Sequence, residues 1–162
     1  MEIQLRSKKY QGLVMLIDDE DYDLVSKYIW YASPNTVGGF YASTKIKDTN
    51  STLYSHRLIM GFPKGMVVDH INHDTLDNRK SNLRICTQSQ NAFNRGLQRQ
   101  NTSGYKGVHF YKRKDKYMAY IDVNRKRIHL GYFKTAQEAA KKYNEVALFL
   151  VGEYAHLNKL DV

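Results

Sequence analysis

The sequence has few of the features that are typical of secreted or membrane-bound proteins, namely paired cysteines and long apolar segments. Its 162 residues include one cysteine, so no disulfide can form within the chain, and the absence of a CxxC pair argues against a structural zinc site. No apolar run is long enough to span a bilayer, and the N-terminus, MEIQLRSKKYQG, lacks the apolar core of a signal peptide. We therefore expect an intracellular, cytoplasmic protein with no membrane partner.

Acidic residues are also few relative to basic ones: 25 lysines and arginines stand against 16 aspartates and glutamates, and the net charge is +9. The excess is uneven, because residues 99–162 hold 13 basic and six acidic side chains. A segment this basic, interleaved with tyrosine and histidine, indicates a polyanionic partner. Anionic lipid is the alternative, but the basic residues lie on predicted strands rather than on one amphipathic helix, which favours nucleic acid.

The chain does have a stretch crowded with histidine, aspartate and asparagine, VVDHINHDTLDNRKSNLRICTQSQNAFN, at residues 67–94. Two valines at its start predict a short strand that ends in Asp69 and His70. A polar loop follows, and residues 83–86 form a second apolar run. Thr87 then opens a capping-box pattern, which predicts the start of a helix. The predicted order is strand, loop, strand, helix.

This stretch resembles the HNH nucleases, whose active site is a ββα-metal motif. The resemblance rests on the Asp-His pair, the DNRxxNLR run and the start of the following helix. It implies that His70 is the general base and that Asn82, twelve positions on, braces the loop. It also implies that Asp69 and Asn91 bind a divalent metal ion.

Phosphodiester hydrolysis requires these residue types. Histidine can activate a water near neutral pH, and a cation stabilises the charge on the phosphate and the leaving oxygen. A carboxylate and an amide carbonyl form an oxygen-only pair, which suits Mg²⁺ first and Mn²⁺ second. The structural alternative is a plain turn, since Asn and Asp side chains often bond their own backbone. The roles of two further histidines stay open: His73 as loop, ligand or DNA contact, and His56 beside the site or at the surface.

The residues before this stretch, 1–66, predict a small α+β region without chemistry of its own. Residues 10–17 are apolar and typical of a strand. Acidic residues cluster at the start of a predicted helix over residues 21–30, where their negative charge interacts favourably with the positive end of the helix dipole.

The end of the chain has a different pattern. Residues 105–111, 117–123 and 127–132 alternate with period two, which predicts a three-stranded antiparallel sheet. Thr135 opens a capped helix with an apolar stripe that ends at Gly152 and covers one face of the sheet. The alternation places Ile128, Leu130 and Tyr132 on one face, and leaves His109, Tyr111, Arg127 and His129 on the exposed one.

Residues 103–158, from SGYKGV to GEYAHLN, resemble the plant ethylene-response-factor DNA-binding domain of the Apetala type. The resemblance implies that the exposed sheet face lies in the major groove of duplex DNA. Several of that family's arginines are replaced here, so its target sequence does not carry over. Together with basic residues near the HNH-like stretch, the predicted DNA contacts are Arg84, Arg95, Lys106, His109, Tyr111, Lys112, Arg113, Arg125, Arg127 and His129.

The predicted fold class is α+β: a small N-terminal α+β region, a ββα-metal motif, and a three-stranded antiparallel sheet packed on one helix. The predicted domains are a nuclease domain over 1–95 with its core at 67–95, a linker over 96–103 and a DNA-binding domain over 104–162. The predicted function is a metal-dependent homing-type endonuclease, in a phage or mobile-element context, that nicks or cuts double-stranded DNA as a monomer or homodimer. The alternative is a sequence-specific DNA-binding regulator with an inactive HNH motif. A single-strand RNA nuclease, suggested by Tyr111 and Tyr120, is a third reading.

Overall fold

The computed structural model describes residues 1–36, 38–47, 49–97, 100–124 and 126–160. They belong to two compact units, Met1–Thr87 and Gln88–Val162. Both units mix short strands with helices, so the predicted α+β class is confirmed, while the predicted domain limits stay a prediction. Arg125 and residues 98–99 of the predicted linker lie outside the described residues. None of the helices in the described part of the chain combines the length and the apolar character that crossing a membrane requires.

The first unit is built from short elements around one apolar core. In chain order the elements are β1 Glu2–Gln4, β2 Val14–Leu16, α1 Tyr22–Val25, β3 Tyr31–Pro34, β4 Phe40–Lys45, β5 Thr52–Tyr54, α2 Ser55–Ile59, β6 Val67–His70 and β7 Leu83–Cys86. Strands β1 and β2 form a hairpin, β3, β4 and β5 form a sheet, and β6 pairs with β7. Apolar side chains from most of these elements meet in the core, where Met15, Ile17 and Val25 are fully buried.

The helix predicted over residues 21–30 is wrong in length. A 3-10 turn, Asp19–Asp21, leads into α1, which is a single turn. The buried indole Nε1 of Trp30 donates to the carbonyl of Val25 at 2.9 Å, and the backbone N–H of Tyr28 donates to the same carbonyl at 3.2 Å, so the chain turns after Val25 without a further α-helical turn. Burial of one large aromatic residue thus overrides the helical pattern. The strand predicted at residues 10–17 is present but shorter, and its partner β1 was not predicted.

The strand, loop, strand and helix predicted for residues 67–94 occur in that order. β6 and β7 pair antiparallel, with Val67 opposite Cys86 and His70 opposite Leu83. Helix α3, Gln88–Asn94, follows directly and belongs to the second unit.

The second unit contains the predicted sheet and its covering helix. After α3 come β8 Val108–Tyr111, β9 Lys116–Val123, β10 Lys126–Phe133 and α4 Ala136–Val151. The sheet is antiparallel in the order β8, β9, β10, and Tyr143 of α4 packs with Ile121 of β9. The capping box is confirmed, because Thr135 Oγ1 accepts from Glu138 N at 3.1 Å and Glu138 Oε2 accepts from Thr135 N at 3.2 Å.

The face predicted for Tyr132 is wrong, because β10 contains a β-bulge. His129 lies opposite Tyr120 and Tyr132 lies opposite Met118, with a register shift between His129 and Gly131. Tyr120 and Met118 are two residues apart on β9, so they share a face. The extra residue of the bulge therefore places Tyr132 on the same face as His129.

Candidate active site

Two polar side chains end β6 in the interior of the first unit. Asp69 is 7% exposed and His70 is 5% exposed. Val68 of β6 packs into the core, and the strand then places both polar residues at the start of the loop that joins it to β7. Buried polar groups require bonding partners, and the β6–β7 hairpin supplies them.

Arg84 is the partner of Asp69. The two residues lie opposite each other in the β6–β7 register. Arg84 Nε and Nη2 both donate to Asp69 Oδ2, at 2.9 and 2.8 Å. The pair is nearly enclosed, since the two side chains are 11% and 8% exposed. Arg84 was predicted to contact DNA; that contact stays a prediction, and in the structure its guanidinium binds the carboxylate.

Asn78 determines which nitrogen of His70 is basic. His70 Nε2 lies 3.2 Å from Asn78 Oδ1, and Asn78 Nδ2 donates to the carbonyl of Leu76 at 3.1 Å. Because the amide nitrogen is used by Leu76, the amide oxygen faces the imidazole as an acceptor. Nε2 then carries the hydrogen, and the lone pair of the neutral ring lies on Nδ1. Asn78 is fully buried, and its backbone N–H donates to Leu16, so its position is determined by β2.

Asn82 connects both ends of the loop that follows His70. Its Oδ1 accepts from Asn72 N at 3.0 Å, and its Nδ2 donates to the carbonyl of Asp77 at 2.8 Å. Its own carbonyl accepts from Ile71 N at 2.9 Å. These bonds are what a loop brace requires, and the side chain is buried among them.

Aromatic rings of β4 and α2 lie beside the imidazole of His70. The ring centroid of His56 lies 5.1 Å from that of His70, and the centroid of Tyr41 lies 6.2 Å away. Burial lowers the pKa of His56 to about 3, and the neighbouring His70 and Arg57 act in the same direction. Burial also lowers the pKa of His70, which the Asn78 hydrogen bond and the Asp69 carboxylate partly oppose. Burial therefore favours the neutral form of both rings.

The loop also contains a carboxylate whose role is structural. Arg79 Nε and Nη2 bind the two oxygens of Asp77 at 2.8 and 2.7 Å, and this lowers the pKa of the carboxyl group. His73 lies in the turn after His70 with a φ of +69°, and its N–H donates to the carbonyl of His70. Its position in a tight turn agrees with the loop alternative for His73, and the other two alternatives stay predictions.

The donor set at the end of β6 fits a hard divalent ion held by few protein ligands. Asp69 supplies a buried carboxylate, one oxygen of which is shared with Arg84. Mg²⁺ keeps several waters and is commonly bound by one or two carboxylates together with substrate phosphates. Within the described ranges, no three His, Cys, Asp or Glu side chains group closely enough to hold a metal ion by themselves.

Asn91 lies half-buried on α3, in the second unit. The structure brings Asp69, His70 and Asn82 together in the first unit, and the predicted role of Asn91 beside them stays a prediction.

The predicted DNA contacts of the second unit differ in exposure. Lys112 and Arg113 are exposed in a 3-10 turn between β8 and β9, whereas Lys106 is half-buried. Lys106 Nζ donates to the carbonyls of Phe93 and Arg95 at the end of α3, at 2.5 and 2.7 Å, and burial lowers its pKa to about 8. The other predicted contacts among the described residues are Arg95, Arg127 and His129, which are exposed, and His109 and Tyr111, which are half-buried.

Two residues of the site were not singled out from the sequence. Asn78 could have been found, because it belongs to the DNRxxNLR run. Tyr41 carries no sequence signal, since it is an ordinary tyrosine in a strand far from the motif. Burial raises its pKa, with Tyr54 and Asp69 adding to the effect.

Comparisons with known proteins identify a family and two relatives of this chain. Residues 54–93 match the HNH endonuclease family, a range that contains His56, His70, Asn82 and Asn91. An uncharacterized HNH endonuclease of Acanthamoeba polyphaga mimivirus is 31% identical over 153 residues, which are 93% of this chain and 78% of the viral protein. Protein 3.8 of Escherichia phage T7 is 31% identical over 65 residues, 40% of this chain and 54% of the phage protein. No solved structure matches the chain.

Proposed function

The chain belongs to the HNH endonuclease family, and from this premise we propose that it is a metal-dependent, homing-type endonuclease that hydrolyses DNA phosphodiester bonds. The observation that carries the proposal is the buried His70 imidazole, whose Nε2 lies 3.2 Å from Oδ1 of the buried Asn78 and which follows Asp69 directly in β6. The viral and phage sources of the relatives support the predicted mobile-element context.

His70 is the general base. A water gives its proton to Nδ1 while its oxygen bonds to phosphorus, and the bond between phosphorus and the 3′ oxygen breaks. The leaving oxygen takes a proton from solvent, so the products carry 3′-hydroxyl and 5′-phosphate ends. The Asn78 bond holds the ring with Nδ1 as its basic nitrogen, and Asn82 holds the backbone on which the ring stands.

Asp69 and Asn91 would hold the divalent ion, with Mg²⁺ favoured and Mn²⁺ able to replace it. When bound, such an ion neutralises charge on the phosphate and the leaving oxygen. Arg84 keeps the Asp69 carboxylate in place from the opposite strand.

The sheet of the second unit would bind the DNA. Its resemblance to the Apetala-type domain, together with the sheet-and-helix architecture, supports duplex binding by Lys112, Arg113, Arg127 and the neighbouring exposed residues. Most such contacts would be to phosphates and would fix the position of the enzyme on the DNA.

A DNA-binding regulator with an inactive nuclease site is the second candidate. The observation in its favour is that two nitrogens of Arg84 already bind one oxygen of Asp69, which leaves less of that carboxylate for a metal ion.

Cleavage of a supercoiled plasmid in Mg²⁺, and then in Mn²⁺, separates the two candidates. General-base catalysis is typically worth about 100- to 10,000-fold, so His70→Ala should reduce cleavage by at least about 100-fold. DNA affinity in EDTA should be unchanged. His73→Asn is the matched control, because asparagine tolerates the left-handed backbone of that turn, and it should keep cleaving. Wild-type protein that binds DNA but never cuts in either metal would establish the regulator instead.

A further inference from the structure

One face of the second unit's sheet carries a continuous row of aromatic rings. The ring face, as we call it, consists of Tyr120, His109, Tyr111, Tyr132 and His129. Neighbouring centroids along this row are 5.5, 6.5, 5.5 and 4.6 Å apart. His129 is exposed and the other four rings are half-buried. The row crosses all three strands, so it forms a surface rather than an isolated contact.

The register of the sheet explains why these rings share a face. His109 lies opposite Met118, and Met118 and Tyr120 point to the same side of β9. The β-bulge of β10 then brings Tyr132 to that side together with His129. Without the bulge the two residues, three apart, would point to opposite faces. The opposite face packs against α4 and is closed to a ligand.

Cationic groups lie over two rings of the row. The Arg127 guanidinium carbon is 4.0 Å from the centroid of Tyr120, and Lys114 Nζ is 3.9 Å from the centroid of Tyr132. Lys114 belongs to the exposed basic turn Lys112–Lys114. With 13 basic against six acidic residues in positions 99–162, the surroundings attract a polyanion.

We propose that the ring face binds unpaired bases of single-stranded DNA by stacking. Proteins that bind single strands combine a basic surface with aromatic side chains on which successive bases stack, and both features occur here. Duplex reading instead needs donors aimed at base edges, typically arginine forks. Arg127 has two of its nitrogens bound to Asp122 at 2.8 Å each, which leaves the rings as the main chemistry of this face.

This inference rests on the proposed function only in that the substrate is DNA. It changes the class of DNA that the enzyme prefers: a duplex with an unpaired stretch, such as a fork, a bubble or a displaced strand. The sheet would hold the unpaired bases, while duplex contacts from the basic turn would remain possible. Binding of single strands can be tested independently of cleavage.

The test measures binding by the full chain in EDTA, so that a failure of the nuclease site cannot affect it. Fluorescence anisotropy gives dissociation constants for labelled oligo-dT of about 20 nucleotides, for a mixed-sequence duplex and for oligo-U RNA of the same length. Tyr111→Leu and Tyr132→Leu remove a flat ring but keep apolar volume, and Tyr111→Phe and Tyr132→Phe keep the ring. Phe149→Ala is the matched control, because Phe149 is an 88% exposed ring on α4.

We expect oligo-dT to bind more tightly than the duplex or the RNA. Each leucine variant should weaken oligo-dT binding by about 5- to 150-fold, the range that corresponds to the loss of one stacking ring. The phenylalanine variants and Phe149→Ala should bind oligo-dT as the wild type does. Circular dichroism melting of every variant shows whether a loss of binding results from unfolding. If a leucine variant is unfolded, the phenylalanine variants and the preference for oligo-dT over the duplex and the RNA test the proposal. Tighter binding of duplex or RNA, or equal losses for single strand and duplex in the leucine variants, would overturn the proposal.

Discussion

Replacing Arg84 with methionine should destabilise the protein by about 3–5 kcal/mol, because it removes the partner of a buried carboxylate. Methionine keeps much of the apolar volume of the arginine stem, so the change acts mainly on the charge. The size follows from the geometry: two charge-assisted bonds to Asp69 Oδ2, at 2.9 and 2.8 Å, are lost in a pair that is at most 11% exposed.

Urea unfolding and thermal melting measure the effect, and for a chain of this size the melting temperature should fall by roughly 6–20 °C. Arg127→Met is the matched control. It breaks a pair with Asp122 that has the same two-nitrogen geometry but is more than half exposed, and exposed pairs contribute about 0–1 kcal/mol. Asp69→Asn and the double variant Asp69→Asn/Arg84→Met complete a double-mutant cycle, in which we expect a coupling of about 2 kcal/mol or more.

Mg²⁺ adds a second readout to the same cycle. If Asp69 is a metal ligand, Mg²⁺ at about one hundred times its dissociation constant should restore about 2.7 kcal/mol to Arg84→Met. The double variant lacks the carboxylate and should gain nothing. A loss below about 1 kcal/mol in Arg84→Met, with additive effects across the cycle, would refute the assignment of this pair as a buried contact. Equal Mg²⁺ effects in both variants would refute Asp69 as a ligand.

Three further predictions follow from single contacts. Asn78→Ala should lower kcat by about 10- to 100-fold with little change in KM, because His70 loses the bond that orients it; an equal rise in KM with unchanged kcat would contradict this. Burial lowers the pKa of His56 to about 3 from its ordinary 6.5, so between these pH values the unfolded state binds an extra proton and stability falls as pH drops. Lowering the pH from 6.5 to 5 should therefore cost the wild type about 2 kcal/mol more than His56→Phe in urea unfolding, and parallel pH profiles would contradict it. Gly107→Ala should prevent folding of the second unit, because its Cβ would lie 2.1 Å from the Tyr143 ring at a φ of +71°; a wild-type circular dichroism melt would contradict it.

Patterns among residues that are neighbours in sequence account for the strands and helices that could be predicted. Period-two alternation, the Thr135 capping box and the order of elements around residues 67–94 depend on neighbours in sequence, and the strands and helices that they indicate are present. The resemblance to the HNH nucleases singled out Asp69, His70 and Asn82, which the structure brings together in one hairpin and its loop. The composition also indicated a polyanionic partner, because charge is independent of the fold.

Tertiary contacts decided the rest. The helix predicted to reach Trp30 ends after one turn, because burying the indole and bonding it to Val25 takes precedence over local helical preference. Arg84, predicted as a DNA contact from its charge, pairs across the hairpin with Asp69, and no pattern along the chain indicates that register. A one-residue bulge between His129 and Gly131 changes the face to which Tyr132 belongs. In each case the outcome depends on a partner distant in sequence or on a backbone irregularity, and residue spacing records neither.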